Sequence, residues 1–178
     1  MRNNKGFTLI EMAVVLVIIG IILGAVIKGN DLIENAKVKG VIQAPTKWEV
    51  PIMTYYDKKG SFPGSTSGQI TSFTALKTAL GNESIAYPAD TISDVTFDIA
   101  SVTDPCKAGA TVARNIMLIT NVPDTTASQL DLAIDGISDG TKGRVRSCGA
   151  AGTANVGAAW TATGALVPVV YFFDKTIP

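Results

Sequence analysis

Lys5-Gly6-Phe7-Thr8-Leu9-Ile10-Glu11-Met12 opens a run that carries no charge from Met12 to Ile27. Phe7 to Ile27 is 21 residues, and as an α-helix such a segment is about 31 Å long, enough to cross the hydrocarbon core of a bilayer. Glu11 lies inside it, and a carboxylate at the centre of a membrane helix costs about 2.5–3.5 kcal/mol on insertion scales unless it finds a partner. A passive anchor has no use for such a residue, so the carboxylate points to a counter-charge within the apolar phase. Arg2 and Lys5 precede the run, and basic residues stay on the cytoplasmic side, which sends everything after Ile27 outward. An ordinary secretory signal ends in a small-x-small cleavage site, whereas Gly24-Ala25-Val26-Ile27-Lys28 lacks a clear one. A generic single-pass anchor is the plainer alternative reading.

Met1 to Gly6 followed by Phe7-Thr8-Leu9-Ile10-Glu11 resembles the type IV pilin and pseudopilin superfamily. Its precursors carry a short basic leader ending in Gly, then an aromatic or apolar residue, Thr-Leu-Ile-Glu and an apolar helix. The resemblance implies cleavage between Gly6 and Phe7 by a prepilin peptidase, N-methylation of Phe7, and packing of the apolar helix in a filament core. Glu11, fifth in the mature chain, would neutralise the Phe7 ammonium of a neighbouring subunit. Asp31-Leu32-Ile33 and Phe62-Pro63-Gly64-Ser65 also look like elements of one pseudopilin-like branch, which has Pro-Gly-Asp at the end of its helix. The organisation expected is a leader over residues 1–6, a transmembrane and amphipathic helix over 7–57, and a globular head over 58–178.

Beyond the apolar run, Val38, Val41, Pro45, Trp48, Ile52 and Tyr55 fall at steps of three and four, one stripe of a helix able to cover a sheet. Pro45 and Pro51 each remove a backbone donor, which predicts a kink at the first and a kink or break near the second. Gly20 and Gly24 permit local unwinding or close helix packing. Asp57-Lys58-Lys59-Gly60 reads as the helix exit. Thr71 to Leu80, stopped by Gly81, and Thr125 to Asp135, capped by Thr125 or Thr126 and stopped by Gly136, read as short helices. Strands are expected at Val95–Val102, Val112–Thr120, Gly143–Ser147 and Leu166–Phe173, the second and fourth central, with Pro168 marking an edge or bulge. The fold class is α+β, one long N-terminal helix on an antiparallel sheet, which is also the pilin fold that the resemblance implies.

Two cysteines, Cys106 and Cys148, stand 42 positions apart without a Cys-x-x-Cys, and histidine is absent. In an exported domain an even pair reads as a disulfide, with free thiols the alternative. Asp131, Asp135 and Asp139, interleaved with Gly136 and Gly140, present carboxylates one helical turn apart. Oxygen ligands in that pattern suit calcium, but the order is not that of an EF-hand. A solvated helix end, with Arg146 paired to an aspartate, is the plainer reading.

Without histidine there is no Ser-His-Asp or Cys-His arrangement and no zinc pattern, and the glycines near Gly149 and Gly152 lack the lysine of a phosphate loop. No nucleophile-base pair marks an enzyme, and no cofactor is implied. Fifteen basic residues balance fifteen acidic ones, and without Arg2 and Lys5 the side-chain balance is two negative, so no basic surface invites nucleic acid. Trp48, Tyr55, Tyr56 and Trp160 read as packing aromatics. The partners implied by the resemblance are other copies of the chain in a helical polymer, the prepilin peptidase, and an inner-membrane assembly platform and motor. The expected location is the bacterial inner membrane as precursor, N-terminus in and C-terminus out, and then an extracellular pilus serving adhesion, motility or DNA uptake. A type II secretion pseudopilin in the periplasm and a membrane-tethered binding module are the alternatives. A small exposed tract such as Thr153 to Gly164 favours the pilus.

Overall fold

The computed structural model describes residues 6, 8–103, 106, 113–148 and 159–173. Phe7, expected as the cleavage and methylation residue, lies outside them, as do residues 153–158 of the small-residue tract. The architecture is the α+β class expected of a pilin: a long N-terminal helix, then a five-stranded antiparallel sheet. The chain divides into two compact units, residues 1–37 and 38–178.

Helix α1 spans Leu9–Lys59, and its first part, with Gly6 and Thr8, makes up the described portion of the first unit. From Leu9 to Ile27 every side chain is exposed, and nothing approaches Gly20 or Gly24. The helix ends where Gly60 turns to φ +70° and donates its N–H to the Tyr56 carbonyl at 2.7 Å, the left-handed cap that glycine adopts without Cβ strain. The break expected near Pro51 is absent, because α1 is continuous through Pro45 and Pro51. Both rings are buried, so packing retains the helix where the lost donors alone would release it.

In the second unit α1 buries Val41, Ala44, Pro45, Trp48, Pro51 and Ile52. Val38 and Tyr55 flank this stripe half-buried. It packs in one core with Ile99, Met117, Ile119, Val169 and Tyr171 of the sheet. Trp48 and Ile52 are fully buried, each worth about 1.5–3 kcal/mol of transfer free energy. The small hairpin β1 (Ser65–Thr66) and β2 (Gln69–Ile70) precedes α2 (Phe73–Asn82). The main sheet contains β3 (Thr91–Ile92), β4 (Val95–Thr103), β5 (Ala113–Pro123), β6 (Val145–Arg146) and β7 (Leu166–Phe172) in the order β3-β4-β5-β7-β6, with α3 (Asp124–Asp135) after β5. The two most apolar strands, β5 and β7, are interior as expected. Thr120 and Asn121 oppose the single residue Pro168, since the register passes from Ile119↔Val169 to Val122↔Val167. Proline has no ladder donor, and the bulge removes the need for one.

Three expectations are corrected. α2 passes through Gly81 and closes at Glu83. Ser84 takes the left-handed conformation (φ 55°) there, donating to Gly81 O at 3.0 Å while Ile85 N–H donates to Leu80 O at 3.0 Å, the two bonds of a Schellman cap. α3 starts at Asp124, one residue before the threonines expected to cap it, and its N-cap Pro123 supplies no side-chain bond. The strand expected over Gly143–Ser147 shrinks to two residues, because Gly143 sits at φ +84° against the Asp135 carboxylate.

Candidate functional site

In the first unit, the side-chain bonds of interest lie at the start of α1. Thr8 precedes the helix, and its backbone N–H and Oγ1 each donate to Glu11 Oε2 at 2.7 Å, while Glu11 N–H donates to Thr8 Oγ1 at 3.3 Å. This reciprocal arrangement is a capping box, which satisfies helix-end donors that have no intrahelical partner. The Thr8-x-x-Glu11 spacing carries that signal in the sequence, where the cost of the charge draws attention instead. Glu11 also lies in the first turn, where the helix dipole favours a negative group. Gly6 is exposed and non-helical. The helix that follows is long and apolar enough to cross a membrane, and its apolar side chains find no cover in the chain itself: Leu16, Ile21 and Ile27 are about two-thirds exposed.

In the second unit the acidic residues hold turns together. Asp131 is fully buried, not the solvated residue expected. Its Oδ2 accepts the Asp139 and Gly140 N–H groups, each at 3.0 Å, and the Trp160 indole N–H at 2.7 Å. Burial pushes its carboxyl above the ordinary range against those three donors. Asp135 accepts Val145 N–H at 2.8 Å, and Asp139 accepts the Thr141 and Lys142 amides at 2.8 and 3.0 Å. Each candidate calcium ligand thus serves a backbone amide, and no group of three or more such residues is arranged to hold a metal among the described residues. Among the described residues Arg146 pairs with no aspartate. Its Nε donates to Gly143 O at 2.9 Å and its guanidinium lies over the Phe172 ring.

Asp124, unremarked in the sequence, is the other buried carboxylate among the described residues. It accepts the Thr163 and Gly164 N–H groups at 2.6 and 2.7 Å and the Thr161 and Thr163 hydroxyls at 3.0 Å. Burial raises its pKa, but these donors outweigh burial and hold it at about 2. Glu49, on the sheet-facing part of α1, accepts Arg144 Nη2 at 3.1 Å and the Tyr171 hydroxyl at 2.8 Å. Burial, and then that bond, pushes the Tyr171 phenol above its usual range. Partners 95 and 122 positions away leave no local signal. Cys106 and Cys148 form a disulfide with a Cα–Cα distance of 5.1 Å, in a small apolar cluster with Ile116, Val170 and Phe172.

Residues 1–27 match the family described as the prokaryotic N-terminal methylation motif. That is the leader and helix start of type IV prepilins, and the long N-terminal helix fits a pilin. No curated protein and no solved structure matches the chain.

Proposed function

We propose that this chain is the structural subunit of a type IV pilus. The peptidase cleaves between Gly6 and Phe7 and the new N-terminus is methylated. The mature chain waits in the inner membrane with its head outside, and a motor-driven platform draws it into a helical polymer. The observation that carries this reading is the methylation motif joined to an apolar helix with no cover of its own. Neighbouring copies supply that cover in a filament, keeping about twenty apolar residues out of water once they leave lipid. The Glu11 carboxylate then meets the Phe7 ammonium of a neighbour, two charges each costly alone and tolerable as a pair. Pilin-type chains work as structural polymers, and no step here calls for catalysis.

The test is electron microscopy of material sheared from cells expressing the chain, with mass spectrometry of its N-terminus. Long fibres whose subunits begin at methylated Phe7 are expected. Processed protein confined to the envelope without surface fibres would instead assign a secretion pseudopilus, crosslinking only as monomers would assign a tethered module, and a retained leader would end the reading altogether.

A further inference from the structure

We propose that Thr8 is a positioning residue for subunit assembly, holding the Glu11 carboxylate by one oxygen so that the other is presented to the neighbouring subunit's N-terminal ammonium. The inference rests on the pairing proposed above and concerns the residue that aims it. Both cis bonds from Thr8, the backbone N–H and the hydroxyl, end on Glu11 Oε2. Oε1 accepts no hydrogen bond among the described residues. Glu11 has a long side chain with several rotatable bonds, and an unheld carboxylate would sample many rotamers before meeting a partner. Two bonds to one oxygen remove most of that freedom in the monomer. They also spread the charge over fixed donors while the chain waits in lipid, where no water replaces them.

A charge-assisted bond is about twice as strong as a neutral one, and a carboxylate has lone pairs on both oxygens. Accepting an ammonium on Oε1 therefore does not require the cis bonds on Oε2 to break. Thr8 is suited to both tasks at once, because its Oγ1 accepts the Glu11 N–H, which starts the helix at Leu9, and donates its own proton to Oε2. Valine has the same shape and can do neither. Serine can do both.

The test expresses each variant of the full chain beside the wild-type chain and measures, by mass spectrometry, its share of sheared filaments relative to its share of the membrane. Thr8→Val is expected to lower incorporation at least about five-fold, the loss of one bond to a charged acceptor, with Thr8→Ser within about two-fold of wild type. In a Glu11→Ala background Thr8→Val should lower incorporation no further. Wild-type incorporation of Thr8→Val would overturn the proposal, as would an equal loss in the Glu11→Ala background, since Thr8 would then only start the helix. Exclusion of Glu11→Ala with normal Thr8→Val keeps the charge pair and removes the positioning role. Normal incorporation of Glu11→Ala removes the charge pair itself, and this inference with it.

Discussion

Ser84 occupies a position that the backbone reserves for glycine. At φ 55° an L-residue carries roughly 1–2 kcal/mol of left-handed strain, and replacing it with glycine returns about 0.5–1 kcal/mol through the greater freedom of the unfolded chain. The difference favours Ser84→Gly by up to about 1.5 kcal/mol, with about 2–4 °C in Tm for each 1 kcal/mol. Calorimetry of the head checks it, and a lower Tm would mean that the serine hydroxyl repays its strain. Gly64 is the converse case. At φ +65° its missing Cβ would strike the backbone of Ala75 and Leu76, so the same change of size in reverse is not tolerated there. Asp124 sets the acid limit of the head. Its pKa is about 2 when folded against an ordinary 3.8, so the stabilisation is complete above pH 3.8 and is lost as pH falls from there toward 2. Asp90 and Asp139 are shifted down as well, the first by Lys77 and the second by the Thr141 and Lys142 amides, and add to the loss. Denaturant titrations across pH 2–6 should show Asp124→Asn less stable than wild type at pH 6, with a shallower fall below pH 4. An unchanged slope would mean that other carboxylates dominate.

At the scale of elements, the head consists of strands and helices tied by contacts distant in sequence. The disulfide is the covalent tie. It closes a loop of 42 residue steps, for which the chain-entropy estimate is about 4 kcal/mol. Cys106→Ala should therefore lower head stability by several kcal/mol under oxidising conditions, and the same loss should follow when wild type is treated with a thiol reductant. A variant melting with wild type would show that the reduced chain keeps the ends together by other means. What the sequence disclosed about these elements follows how local each cause is. The strands β4, β5 and β7 were legible because alternating or continuous apolar residues mark them directly. Gly60 and Gly136 were legible as stops because a left-handed residue must follow a helix that ends there. Gly81 misled because Ser84 took that conformation three residues later, and of the kink or break expected near Pro51 the break does not occur, because the buried ring outweighs a missing donor. Asp124 and Glu49 were silent in the sequence. Their partners sit on β7, on the segment before it and beside β6, and only the folded sheet assembles them.

For the molecule as a whole, the apolar run from Met12 to Ile27 announces a helix able to cross a membrane, while the head's interior can be read only from the fold. The two units carry separate burdens. Every buried residue of the main core, from Val41 to Phe173, belongs to residues 38–178, and the described side chains from Thr8 to Lys37, apart from the half-buried Gly29, are exposed. Folding of the head is therefore expected to proceed without the first unit. A chain beginning at Val38 should accordingly be soluble without detergent, monomeric by size-exclusion chromatography, and melt cooperatively within a few degrees of the full-length protein in detergent micelles. Its disulfide should form on its own under oxidising conditions. Residues 38–59 should stay helical in it, because Trp48, Ile52 and Glu49 hold that stretch against the sheet, whereas an isolated helix of about this length is only marginal in water. A soluble fragment that lost this helicity by circular dichroism would show that the helix depends on propagation from the membrane half. Retained helicity would mean that residues 38–59 are held by the head's own core.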